Sequence, residues 1–101
     1  MKGFVYLLCD GDKFKIGMTR KKDINKRIKE LQTGNPYEIW LRSYYETDNP
    51  YIIEQMMHTK YMTSKIKNEW FELNANDVIN FKKNCADCER ILNSIKNNPF
   101  I

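Results

Sequence analysis

The sequence predicts an α+β fold: a small, three-stranded, mainly antiparallel sheet flanked by three helices. Two β-like runs near the start are joined by the turn dipeptide Asp10-Gly11, and a third β-rich run covers Glu38 to Thr47. Apolar stripes at helical spacing follow Arg20, Asn49 and Asn74. At 101 residues, with 42% hydrophobic content, there is room for one domain, 1–101. Six Tyr, five Phe and two Trp let aromatic burial make up for small size.

Phe4 to Cys9 is a continuous apolar run, the pattern of a strand buried on both faces. Lys13 to Met18 alternates, with Phe14, Ile16 and Met18 on one face and Lys13, Lys15 and Gly17 on the other. With Asp10 and Gly11 as a two-residue loop, Tyr6 lies opposite Lys15. A loop shifted by one residue pairs Tyr6 with Gly17 instead, and Lys15 stays on the same face, diagonal to the phenol.

Arg20 to Thr33 reads as the first helix, with Ile24, Ile28 and Leu31 inward, ended by Gly34 and Pro36. Lys22, Lys26 and Lys29 project on its outer face, and Arg27 falls at the margin of the apolar stripe. After the strand from Glu38 to Thr47, Asp48 or Asn49 caps a second helix with Ile53, Met56, Met57 and Tyr61 inward. Glu54 and His58, four residues apart, share one face near the edge of that stripe. Glu69 to Leu73 reads as a short strand-like segment burying Trp and Phe. Asn74 or Asn76 caps a packing helix, about 75–96, with Val78, Phe81, Cys85, Cys88, Leu92 and Ile95 inward; a polar tail frays after Ile95.

The net charge of +4 is localised: residues 12–30 hold eight Lys/Arg against three Asp/Glu, while the rest holds nine against ten. A concentrated surplus of that kind is the footprint of a phosphate-contacting surface, for which Lys13, Arg20, Lys22, Lys26 and Lys29 are candidates. Three cysteines do not make a disulfide framework and fit a reducing compartment. Cys85 and Cys88 have CxxC spacing but fall inside the apolar stripe, so core thiols are expected rather than a zinc or redox site. The absence of a long apolar run leads to the expectation of a soluble intracellular protein, cytoplasmic or, in a viral setting, in the host cell.

Tyr6 in one strand, Lys15-Ile16-Gly17 in the next, Arg27 in the first helix and Glu54 in the second resemble, in type and order, the GIY-YIG nuclease superfamily. The likeness covers roughly residues 3–73 (the core of the expected domain). Glu69-Trp70-Phe71 resembles the close of its compact phage and viral branch. The resemblance implies a divalent-metal-dependent DNA endonuclease, using Mg²⁺ or Mn²⁺, in which water attacks the phosphodiester.

By that resemblance Tyr6 lies near the attacking water and assists general base catalysis, Arg27 holds the scissile phosphate, and Glu54 binds the metal. His58 falls close to the site. The family's second motif half usually carries tyrosine where this chain has Lys15. An unperturbed phenol titrates at about pH 10, so a neighbouring cation is needed to favour phenolate, and Lys15 is the expected activator or proton relay. The altered second half also supports an alternative, a catalytically degenerate nucleic-acid-binding module of the same fold. A helical interaction protein using residues 75–101 is the third reading, opposed by the basic segment. Nothing resembling a separate DNA-reading motif is present, so target choice is expected to come from DNA shape, from a homodimer or from a partner protein.

Overall fold

The computed structural model describes residues 2–97. Its order is β1 (Gly3–Cys9), β2 (Phe14–Thr19), α1 (Ile24–Thr33), β3 (Trp40–Thr47), α2 (Pro50–Lys60), a 3₁₀ turn (Met62–Ser64), β4 (Lys65–Lys67), β5 (Trp70–Phe71), α3 (Ala75–Ile79) and α4 (Phe81–Lys96). All strand pairs are antiparallel, in the order β3-β1-β2-β5-β4. The α+β class is as expected, but the sheet has five strands rather than three, and four helices flank it. The Glu69–Leu73 segment enters the sheet as β5 beside Phe14 and Lys15 and carries β4 with it. Asn68, at φ 55, supplies the left-handed turn between those two short strands.

The β1–β2 register is the shifted one: Tyr6 pairs with Gly17, Leu8 with Lys15 and Cys9 with Phe14. Four residues form the loop because the Asp10 carboxylate accepts from the backbone N–H of Asp12 at 3.0 Å and of Lys13 at 2.7 Å. That side-chain turn, closed by Asp10 N–H on the Lys13 carbonyl at 3.2 Å, displaces the two-residue turn; Gly11 takes the φ of 99°.

β1 is buried on both faces, and two cores result. Val5, Leu7 and Ile16 pack with Phe71 against Ile53 and Met57 of α2 and Phe81, Cys85 and Cys88 of α4. On the other face Tyr6, Leu8 and Ile39 are covered by Ile24, Ile28 and Leu31 of α1, all only half-buried. The α1 helix is therefore a thin cover over the face that carries Tyr6. It begins at Ile24 rather than Arg20 because the Asp23 side chain accepts from Asn25 N–H at the cap. Lys22 accordingly lies in the exposed loop before the helix, not on its outer face.

The C-terminal packing helix is split. Asn74 and Asp77 form a capping box that starts α3, which closes on Asn80 before α4 begins. Cys85 and Cys88 are buried and free, with the Cys88 thiol 3.9 Å from the Met57 sulfur, and burial pushes both thiols up in pKa. Ile95, expected inward, is half exposed. The tail expected to fray after Ile95 lies, from residue 98 on, outside the described residues. Among the described residues no helix is long and apolar enough to cross a membrane.

Candidate active site

Tyr6 sits mid-strand in β1, 1% exposed, with its ring lying across Gly17 of the neighbouring strand. A Cβ built on Gly17 would come within 2.5 Å of the Tyr6 Cζ, and the phenol oxygen is closer still. Glycine at 17 is thus what lets the phenol lie over β2 with its hydroxyl above that residue. Burial raises the Tyr6 pKa, and the adjacent Arg27 guanidinium works against that rise.

Arg27 reaches the phenol from the margin of α1, as its place beside the apolar stripe predicts, and it also contacts Glu30 at 3.4 Å. The cation at the phenol is therefore Arg27. Lys15, on the same face as Tyr6, is turned toward β5: its ammonium is 3.3 Å from the Glu69 carboxylate and 5.7 Å from the centre of the Trp70 ring. The cause is the sheet itself, since β5 pairs Lys15 directly with Trp70.

Glu54 comes from α2 and is 5% exposed. Its carboxylate accepts from Gln55 Nε2 at 2.9 Å and makes no ion pair among the described residues. Burial raises its pKa, and the Glu69 charge raises it further. One turn on, His58 Nε2 is 2.8 Å from the Ile16 carbonyl; a carbonyl only accepts, so the imidazole donates there, and its ring meets Phe71 edge-on. The Ile16 N–H is donated in turn to the Glu69 carbonyl at 3.1 Å. Both sides of the Ile16 backbone are thus pinned, which fixes Gly17 beneath the phenol.

The charges of Arg27 and Glu54 thus both act on the Tyr6 phenol, from α1 and from α2. Lys15 and His58 border them. The exposed basic candidates stand apart: Lys22, Lys26 and Lys29 line the α1 side, Arg20 lies in the loop before it, and Lys13 pairs with Asp12 at 3.6 Å in the β1–β2 loop. Sequence reasoning missed two participants. Glu69, not among the expected site residues, holds Lys15 with its carboxylate and the Ile16 N–H with its carbonyl, and Gly17 supplies the space for the phenol. The signal for Glu69 was the Lys15–Trp70 pairing, which requires knowing that Glu69-Trp70-Phe71 joins β2.

Among the described residues there is no cluster of three or more His, Cys, Asp or Glu able to hold a metal. A nearly buried carboxylate without an ion pair nevertheless suits Mg²⁺, which takes one protein oxygen and completes its shell with water and phosphate oxygens. Glu54 is the residue that would hold it.

A five-stranded antiparallel sheet with a buried tyrosine on which the charges of an arginine and a glutamate act defines a small α+β domain with a polar site. The family model of the T5orf172 domain matches residues 3–86, and the chain belongs to that family. The domain is phage-associated and related to nucleases of the GIY-YIG and HNH types. No curated protein and no solved structure matches the chain.

Proposed function

We propose that this domain is a metal-dependent DNA endonuclease of the GIY-YIG type that hydrolyses phosphodiester bonds. The observation that carries the reading is the Tyr6 phenol lying over Gly17 within range of the charges of Arg27 and Glu54, three residue types from three elements that phosphodiester hydrolysis can use together. Arg27 presents a planar fork of donors to phosphate oxygens as negative charge builds on them. Tyr6, as phenolate, takes the proton of the attacking water; the water oxygen bonds to phosphorus as the bond to the leaving sugar oxygen breaks, and that oxygen is protonated from solvent. Glu54 would hold a divalent ion, Mg²⁺ or Mn²⁺, which would supply positive charge at the phosphate.

Burial raises the pKa of the Tyr6 phenol. The working phenolate requires added positive charge; Arg27 supplies it, and an ion held by Glu54 would add to it. Lys15 acts through its pair with Glu69, and His58 acts as a positioning residue by holding the Ile16 carbonyl. Lys13, Arg20, Lys22, Lys26 and Lys29 steer the DNA backbone, and targeting comes from DNA shape, a homodimer or a partner protein.

The test is incubation of the purified protein with supercoiled plasmid, with and without Mg²⁺ or Mn²⁺, beside Glu54→Gln. Metal-dependent nicking lost in that variant supports the reading. DNA binding with no nicking under any condition replaces it with the degenerate binding module, whose supporting observation is a lysine at 15 occupied by Glu69.

A further inference from the structure

Next to the Tyr6–Arg27 contact, a cleft of about 270 Å³ opens between the C-terminal end of α1 and the β2–β5 edge. Its walls are Lys15, Glu30, Leu31, Asn35, Ile39 and Trp70. Two of these tie it to the site: Lys15 shares the phenol's face of the sheet, and Glu30 contacts Arg27. The chemistry of the walls is mixed in an ordered way. Leu31 and Ile39 offer apolar surface, the half-exposed Trp70 offers an indole with the Lys15 ammonium over it, and Asn35 offers an amide at one end.

The Asn35 end is rigid. Gln32 clamps the turn after α1 by donating to the Tyr37 carbonyl at 2.9 Å and accepting from Ile39 N–H at 2.8 Å. The side-chain amide of Asn35 itself has no hydrogen-bond partner among the described residues, so its donor and acceptor both remain for a ligand. An aromatic plane, flanking aliphatic walls and a free amide edge are what a nucleobase needs: stacking on one side and hydrogen bonds at the rim.

We propose that this cleft takes one unstacked nucleotide of the DNA strand beside the phosphate to be cut, with the base on the Trp70 indole in place of the Lys15 ammonium and its polar edge toward Asn35. The proposal rests on the nuclease reading above and names its substrate class. A base inside a continuous duplex is stacked on both faces and cannot lie on the indole, so it must leave the helix first. Extrusion costs least where the nucleotide is already unpaired. The preferred substrate is therefore DNA with an unpaired nucleotide next to the scissile bond, and a continuous duplex is a poorer one.

The test uses the full chain carrying Glu54→Gln, in EDTA, with two duplexes of the same sequence. One holds a single unpaired 2-aminopurine and the other holds it paired; affinity is read by anisotropy of an end label and stacking by 2-aminopurine emission. The bulged duplex is expected to bind roughly 5- to 100-fold more tightly, with its emission quenched on binding. Added to that background, Trp70→Leu should bring the ratio to about one and abolish the quenching. Asn35→Ala, at a turn outside both cores, should reduce the ratio and serves if the Trp70 variant fails to fold. Equal affinities in the Glu54→Gln protein, binding of neither duplex, or a preference unchanged in both variants would overturn the cleft. Equal affinities beside metal-dependent nicking by the unsubstituted protein would overturn the cleft alone. A bulge preference without nicking would instead support the cleft while removing the nuclease.

Discussion

The guanidinium of Arg27, on α1, acts on the phenol of Tyr6, on β1, as the largest influence opposing the rise that burial imposes on the Tyr6 pKa. The same contact strengthens the charge on Arg27. A phenol and a guanidinium from different layers thus act on one another, and α1 is the less buried of the two elements, only half-buried on its inner face. Removing the guanidinium should raise the phenol's pKa further and remove the phosphate fork. Arg27→Ala is therefore expected to lower the nicking rate on the order of 10²-fold or more. Arg27→Lys should recover part of the phenol's pKa but little of the rate, because an ammonium cannot present two donors in a plane. Ultraviolet titration of the tyrosines beside single-turnover cutting separates the two effects, and equal recovery of both would show that only charge matters at this position.

Gly17 is the position least tolerant of a side chain in β2, since a Cβ there would collide with the Tyr6 ring. Gly17→Ala should destabilise the domain by about 1–3 kcal/mol, the usual range for overpacking a filled site. It should also abolish cutting by tilting the phenol off β2. Urea unfolding measures the first effect and plasmid nicking the second. A variant as stable and as active as its parent would mean that the ring does not lie over Gly17 in solution.

Most of the fold was legible because its signals are local. The apolar run of β1, the alternation of β2, and the stripes of α1 and α2 each need only near neighbours to read, and the margin position of Arg27 follows from the stripe alone. What was not legible depends on pairing between distant segments. The Asp10 side chain chose the four-residue loop and so the Tyr6–Gly17 register. The entry of β5 beside β2 then took Lys15 to Glu69 and left Arg27 as the cation on the phenol. Parity survived the slip, since a two-step change of pairing keeps every side chain on its face, and for that reason Tyr6 and Lys15 still share a surface. The break at Asn80 was likewise hidden, because the apolar spacing on either side is continuous.

Glu54 predicts a trade between stability and activity. Its folded pKa is raised above 4.5 by burial and by the charge of Glu69. A carboxyl group with a raised folded pKa favours folding while protonated, and that contribution is lost as pH climbs through the raised value, so ionised Glu54 weakens the unloaded fold at neutral pH. Glu54→Gln should therefore be the more stable protein at neutral pH, by about 0.5–2 kcal/mol, and should lose metal-dependent cutting. The gap should shrink as the pH is lowered into the ordinary carboxylate range. Thermal melts of both proteins across that range check the sign; a parent more stable than the variant at neutral pH would mean that the carboxylate has a partner the unloaded structure lacks.

Glu69 offers a pH test that a purely structural residue would not pass. Its negative charge raises the pKa of both Glu54 and Tyr6, while its carboxylate holds Lys15 at 3.3 Å. Glu69→Gln removes that charge, so both pKa values should fall, and the rising limb of the cutting rate against pH should move toward acid. Releasing Lys15 at the same time leaves an added positive charge near the phenol, which shifts Tyr6 in the same direction. Lys15→Met should do the opposite: Glu69 keeps its charge without a counter-ion, both groups titrate higher, and the limb moves toward base. The measurement is single-turnover cutting over a pH series for the three proteins at fixed ionic strength. Opposite displacements of the two variants are the expected result, and displacement of both in one direction would remove the Lys15–Glu69 pair from any electrostatic role.

The basic residues make a prediction about salt rather than rate. Lys22, Lys26 and Lys29 are exposed on the side of the molecule that carries Arg27, and none of them is held in an ion pair among the described residues. If each neutralises a phosphate, DNA binding releases counterions and the affinity falls steeply with salt, with a slope of about −0.9 per phosphate contacted on duplex DNA. Replacing one of these lysines by alanine should weaken binding to every DNA sequence alike and make the slope shallower by roughly one. Lys13 already has Asp12 at 3.6 Å, so Lys13→Ala should change the slope less than the α1 lysines do. Anisotropy titrations at several salt concentrations give the slopes directly. A slope that stays the same in all four variants would move the DNA path away from α1, and with it the approach of the strand to Arg27.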